Sequence, residues 1–431
     1  MRRLQVGFVA VLAVLLPGPL TGQDFGLSSS KPEAVGFSSE RLARLKAEMR
    51  RLVDSQEFAG IVTLVARHGK VVASDVYGQQ DVASRMPMQK DTIFRIYSMT
   101  KPITGVAMMM LYEEGKWHPD DPLSRYIPEF ASLKVFDRMG ADGAPVVKAP
   151  AHPPTVGELM SHTAGFTYGL FGSTPVDKLY QGDNPLAAPS LKEFINRLAN
   201  KPLLYEPGEQ WVYSVSVDVQ GYLVEKLSGQ SLPDFMRTRI FEPLGMTDTG
   251  FSVPAGKLSR LATIYGMDGQ SHKLTPVPRD PNVSVAPGLP SGGGGLYSTA
   301  SDYLRFAEML ANNGELNGIR LLSPSTVSLM RDNHLPERLM TGKFGIGFAR
   351  LRPGFGFGYD VAVFDDPHKA GSTTGKGTYL WDGAAGTWFW IDPTNDVIFI
   401  GMIQRMIGGG MPNAEDLSRA LVHQALLDPG R

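Results

Sequence analysis

The chain has 431 residues, 42% of them apolar and 20% charged, with a formal charge of −1 and no cysteine. That is globular composition, long enough for a large core and two lobes. It excludes disulfides and cysteine-based zinc sites and a disordered polar chain, and without a basic cluster nothing points to nucleic-acid or anionic-membrane binding.

Arg2 and Arg3 precede an apolar run from Val6 to Leu16, closed by Pro17-Gly18-Pro19. The pattern is a secretory signal over residues 1–23, cleaved near Gly22 or Gln23 and too short for a comfortable membrane span. The expectation is an exported protein, periplasmic or secreted, with no stable membrane anchor after cleavage. Ser39 to Ser55 reads as an amphipathic helix, with Leu42, Leu45, Met49 and Leu52 on one face. Gly60–Arg67 and Lys70–Tyr77 read as strands joined at His68-Gly69. Asp91 to Tyr97 is a turn and an extended stretch. Ile103 to Glu114 is a buried helix carrying Val106, Ala107, Met110 and Leu111 at helical spacing. From there to about Gly292 the patterns are mostly helical, clearest at Thr155–Ser161, Ser190–Ala199 and Val215–Ser228. Thr299-Ala300-Ser301-Asp302 has the form of a capping box for a helix to Asn312. Thr378–Trp381, Gly386–Ile391 and Val397–Ile403 read as strands, with Asp392 to Asp396 as a turn, before a last helix over Asn413–Leu427. Strands and helices thus come from both ends. The predicted organisation is an α/β lobe from residues 24–101 and 292–431, with a mainly helical lobe, residues 102–291, inserted between them.

The chemistry centres on Ser98-Met99-Thr100-Lys101. A serine and a lysine three apart at a helix start share one face. A hydroxyl needs a base or cation beside it to act as a nucleophile, and a lysine kept partly out of water can supply one. The free N–H groups of a first helical turn favour developing negative charge. S-x-x-K alone is a weak motif, and a capping serine beside a solvated lysine is the bland alternative. Pro102 and the apolar helix that follows anchor this copy to the core.

Other motifs argue mostly by absence. No Gly-x-Ser-x-Gly is present, so a nucleophile elbow is disfavoured. No histidine sits in His-Glu-x-x-His. His162 reads as a structural residue that ends a helix and bonds a loop, with a catalytic His–Asp partnership left open. Ser291 to Gly295 is a glycine run without the Gly-Lys-Ser/Thr of a phosphate loop, and reads as tight returning backbone. Tyr213, before a helix, and Trp381-Asp382-Gly383-Ala384, at a strand end, read by themselves as a packed aromatic and a kinked strand.

In this order and spacing, Ser98-x-x-Lys101, Tyr213 and Trp381-x-Gly383 resemble the serine β-lactamase and penicillin-binding superfamily. The likeness is strongest to its family VIII carboxylesterases, which look like class C β-lactamases. It spans nearly the whole mature chain and takes in His162-Thr163-Ala164-Gly165, Pro207-Gly208 and Gly293-Gly294-Gly295-Leu296. The resemblance implies a β-lactamase-like fold: an antiparallel sheet built from both termini, flanked by helices, with an inserted helical domain. It implies Ser98 as the acylated nucleophile, Lys101 and Tyr213 as proton carriers, and the N–H groups of Ser98 and Ala384 as the oxyanion hole. It implies no metal and no cofactor.

Two departures bear on substrate. Val215 stands where β-lactamases carry an asparagine. Trp381 stands where they carry a cation, with Asp382 next to it. Together with Gly383 these are the expected substrate-binding residues, and they favour neutral, short-chain esters over anionic β-lactams. The implied activity is a serine carboxylesterase acting on a small-molecule ester, with weak β-lactamase side activity. Alternatives on the same fold are a β-lactamase, a D-amino-acid peptidase, an acyltransferase, or a non-catalytic penicillin-recognition module. Oligomeric state is not legible.

Overall fold

The computed structural model describes residues 27–341, 351–408 and 410–428. The signal segment expected at residues 1–23 lies outside them. Eight antiparallel strands form the main sheet. In chain order these are β1 (Gly60–Arg67), β2 (Lys70–Asp81), β3 (Met86–Pro87), β4 (Phe355–Phe357), β5 (Ala362–Phe364), β6 (Thr378–Asp382), β7 (Trp388–Asp392) and β8 (Val397–Met402). Their spatial order is β4-β5-β6-β7-β8-β1-β2-β3. The sheet therefore joins the two ends of the chain at its centre, where Val62 pairs with Met402 and Arg67 with Val397. The β-lactamase-like fold implied by the sequence resemblance is the one observed.

The central strands are buried along their whole length, because both faces are covered. That is why they read as continuous apolar runs rather than alternating ones. On one face, α5 (Ala414–His423) lets Ser418 Oγ accept from both Trp388 Nε1 and Trp390 Nε1, each at 3.1 Å. Next to it packs α1 (Ser39–Asp54), whose N-cap Ser38 accepts from the Arg41 N–H. On the other face, α4 (Ala300–Ala311) sets Tyr303 against Phe389 with ring centres 5.1 Å apart. The capping box expected there is half formed. Thr299 accepts from the Asp302 N–H, but the Asp302 carboxylate turns to the Asp248 N–H and the Thr249 hydroxyl.

The chain between β3 and β4 holds α2 (Thr100–Glu113) and α3 (Ser216–Ser228), which pack against each other. Every residue of α2 from Thr100 to Leu111 is buried. Short hairpins at Val135–Met139/Pro145–Lys148 and Tyr265–Met267/Leu274–Pro276 also occur in this stretch. Their strands are too short and too exposed to leave a period in the sequence.

Candidate active site

Ser98 lies in a 3-10 turn, Tyr97–Met99, immediately before α2. The helix proper begins at Thr100, so Ser98 precedes the first turn in which the sequence had placed it. Tyr97 takes a left-handed backbone conformation, φ 43°, a costly one for a bulky residue and one that stores strain beside the hydroxyl. Lys101, one turn on, is fully buried. Its Nζ donates to the Gly293 carbonyl at 2.7 Å and to Ser98 Oγ at 3.2 Å. Tyr213 Oη donates to Ser98 Oγ at 2.7 Å, and Lys101 Nζ sits 4.6 Å from the centre of the tyrosine ring. The structure therefore brings Ser98, Lys101 and Tyr213 together around one oxygen.

Burial sets the protonation states. It pulls the Lys101 ammonium down to about 8, against the opposing pull of Asp218, Asp360 and Asp382. It pushes the Tyr213 phenol up, and Asp382 pushes the same way, so the tyrosine is a neutral hydrogen-bond donor at neutral pH.

Gly383 follows β6 directly and lies against the backbone just before Ser98. A Cβ there would meet the Ile96 carbonyl oxygen at 2.3 Å and Thr387 Oγ1 at 2.5 Å. Only glycine allows that approach, and the next residue, Ala384, opens into the same cleft as Ser98. Among the described residues, neither the Ser98 nor the Ala384 N–H donates a hydrogen bond. Two available donors on one cleft are what an oxyanion needs.

The cleft measures about 750 Å³. Its wall is largely apolar, with Tyr168, Leu170, Phe171, Leu186, Phe251, Val285 and Leu289, and its acidic and basic side chains are Arg95, Asp218 and Asp280. Four of the residues expected to bind substrate do not line it. Trp381 is 5% exposed and packs behind the site, its ring centre 5.4 Å from those of Tyr213 and Phe357. Asp382, its strand neighbour, points to the opposite face of the sheet, as alternation requires. There it shares a separate pocket with Arg352, Asn413, Glu415 and Arg419. Burial pushes its carboxyl up to about 7, and Glu415 adds to the effect while Lys101 and Arg419 oppose it. Gly383 acts through its backbone. Val215 is buried at the start of α3, its carbonyl accepting from the Asp218 and Val219 N–H groups. The expected repulsion of anions by Asp382 inside the cleft is therefore absent.

Other residues complete the site. Asp218, fully buried on α3, accepts from Ser291 Oγ at 2.5 Å and from the Gly293 N–H at 3.1 Å. It thus fixes the loop whose Gly293 carbonyl receives Lys101. A Cβ on Gly293 would lie 2.7 Å from Asp218 Oδ2 and 2.9 Å from Tyr168 Oη. The glycine run is tight backbone, as expected, but it also carries the lysine's acceptor. Asp360 accepts from Gln220 Nε2 at 3.0 Å and places Oδ2 against Gly105, one turn along α2 from Lys101. Asp218 and Gln220 stand as polar residues inside the apolar run Val215–Val224, the one signal that could have found them. His162 is buried, with Nδ1 on Ser214 Oγ at 3.1 Å and its ring against Trp211 and Tyr213. Burial lowers its pKa well below the usual range. It braces the tyrosine segment, and no His–Asp partner for Ser98 forms there.

A β-lactamase family model matches residues 45–424. Protein Rv1367c of Mycobacterium tuberculosis (strain ATCC 25618 / H37Rv) is 38% identical over 367 residues, 83% of this chain and 89% of that protein. Esterase EstB of Burkholderia gladioli is 34% identical over 384 residues, 84% and 90% of the two chains. Among solved structures, EstCE1, a hydrolase with promiscuous acyltransferase activity, superposes with a TM-score of 0.75 at 29% identity, covering 89% of this chain and 99% of its own. Fold, cleft and relatives agree: the chain belongs to the β-lactamase family, within the family VIII esterase branch of the serine β-lactamase and penicillin-binding superfamily, and is a hydrolase of that superfamily.

Proposed function

We propose that the protein is a serine carboxylesterase working through an acyl-enzyme on short-chain esters. The observation that carries this reading is Ser98 Oγ bracketed by Lys101 Nζ and Tyr213 Oη on the cleft. Lys101 in its neutral form takes the Ser98 proton as Oγ bonds to the ester carbonyl carbon. The carbonyl oxygen, now anionic, receives the N–H groups of Ser98 and Ala384. The bond to the alcohol oxygen then breaks, and the proton returns through Tyr213 to that oxygen. Water repeats the sequence in reverse roles and releases the acid. Support for ester over β-lactam substrates comes from the similarity to EstB. A second reading, acyl transfer to an alcohol in place of water, is favoured by the likeness to EstCE1. The signal pattern of residues 1–23 supports an exported enzyme, periplasmic or secreted.

The test is turnover of 4-nitrophenyl butyrate beside a chromogenic cephalosporin, with Ser98→Ala and Tyr213→Phe. Ester turnover should dominate, vanish in Ser98→Ala, and fall in kcat by roughly 10²–10⁴-fold in Tyr213→Phe. An organophosphonate should label only the peptide holding Ser98. Full activity in Ser98→Ala, or a cephalosporin turned over faster than any ester, overturns the proposal.

A further inference from the structure

Arg95 stands three residues before Ser98, in the short strand Phe94–Arg95 that pairs with Tyr297–Ser298. Its backbone is clamped on both sides by one side chain: Gln404 Oε1 accepts from the Arg95 N–H at 3.0 Å, and Gln404 Nε2 donates to the Arg95 carbonyl at 3.2 Å. Its guanidinium lies between two rings, 4.7 Å from the centre of Tyr97 and 5.6 Å from that of Tyr297. Among the described residues, no carboxylate is within ion-pair distance of it, and its buried Nε has no hydrogen-bond partner. It forms part of the wall between the Ser98 cleft and a side pocket of about 250 Å³, a wall it shares with Tyr97, Asp280, Val283 and Tyr297.

This is a pre-ordered cation without a counter-charge beside the acylation site. Aromatic faces hold a guanidinium in place without neutralising it, and a fixed fork loses little entropy when a carboxylate arrives. Neither of the cleft's acidic groups makes an ion pair with Arg95 among the described residues. Asp218 is tied to Ser291 and Gly293, and Asp280 accepts from the Asn282 N–H at 2.8 Å in its own turn.

We propose that Arg95 forms a carboxylate subsite, and that the preferred substrates are esters carrying a free carboxylate on one arm, with the rest of the molecule against the apolar wall. The proposal rests on the esterase reading and names its substrate class. It replaces the expectation of neutral substrates, whose grounds, Trp381 and Asp382, lie outside the cleft.

Two matched pairs of esters test it. In the first the acyl arm differs: the mono-4-nitrophenyl ester of adipic acid against its methyl ester. In the second the alcohol arm differs: 4-carboxyphenyl butyrate against its methyl ester. For at least one pair the acid should exceed the methyl ester in kcat/KM by about tenfold, the scale of a hydrogen-bonded charge contact. The ratio should shrink with added salt, collapse toward one in Arg95→Met, and be partly retained in Arg95→Lys. In parallel, calorimetry on Ser98→Ala should show monomethyl adipate binding that Ser98→Ala/Arg95→Met lacks. A ratio at or below one for both pairs, or one that persists in Arg95→Met, overturns the subsite while leaving esterase action intact. If no ester is turned over, the esterase reading fails, and the calorimetric difference alone then decides whether Arg95 receives a carboxylate.

Discussion

Lys101 is the residue on which the chemistry turns, and its environment fixes a pH dependence. Burial lowers it to about 8 while Asp218, Asp360 and Asp382 hold it up. The neutral amine is the form that accepts the Ser98 proton, so kcat/KM should rise with pH and level off above an inflection near 8. Asp218→Asn removes a hydrogen-bonded carboxylate that favours the ammonium, so the inflection should move to lower pH. A purely structural role would lower activity without moving it. An inflection that stays in place in Asp218→Asn would assign the limb to another group. The serine, lysine and tyrosine were legible because their spacing is local or shared by a family. The buried carboxylates were not, because their partners lie 73 and 140 residues away in sequence. Trp381 and Asp382 are adjacent in the motif, but neighbours on a strand face opposite sides, so their side chains do not share the cleft.

At the level of elements, the sequence showed α1, the β1–β2 hairpin, α3 and the three C-terminal strands close to their observed bounds, since each carries its own period or turn. It read Phe94–Arg95 only as part of an extended stretch and missed its partner Tyr297–Ser298, since a pair two residues long leaves no period of its own. The decisive junction is between the end of β6 and the turn before α2. Gly383 lets them touch, and Ala384 thereby presents its N–H next to Ser98. Gly383→Ala should force the Ile96 carbonyl and the strand end apart. Loss of one oxyanion donor lowers kcat by roughly 10²-fold or more, and that drop should come with little change in KM and an unchanged far-ultraviolet circular dichroism spectrum. Near-normal kcat would remove the Ala384 N–H from the proposed oxyanion hole.

Across the whole molecule, one buried side chain ties the ends together. Arg67, 4% exposed at the end of β1, donates to the carbonyls of Val35, Asn395 and Asp428, at 2.8, 2.9 and 2.7 Å. Desolvation lowers its pKa, and the acids at 392, 396 and 428 only partly compensate. Arg67→Met would strand three carbonyls without a donor. Each lost charge-assisted bond is individually modest, but an abandoned buried network should cost about 3 kcal/mol in all. Urea denaturation should show that loss, while the folded fraction keeps its kcat. A change under 0.5 kcal/mol would mean that water replaces the guanidinium freely.

The same arrangement sets a timetable for synthesis. Arg67 and Asn395 are 328 residues apart, which a ribosome needs roughly 15–70 s to cover. Until then the centre of the sheet is missing, and β1 waits with an open edge where β8 belongs. A nascent chain that already carries Ser98, Lys101 and Tyr213 still lacks Ala384. Premature termination between Tyr213 and β6 therefore yields a product with its nucleophile and one oxyanion donor, the Ser98 N–H, but without the second.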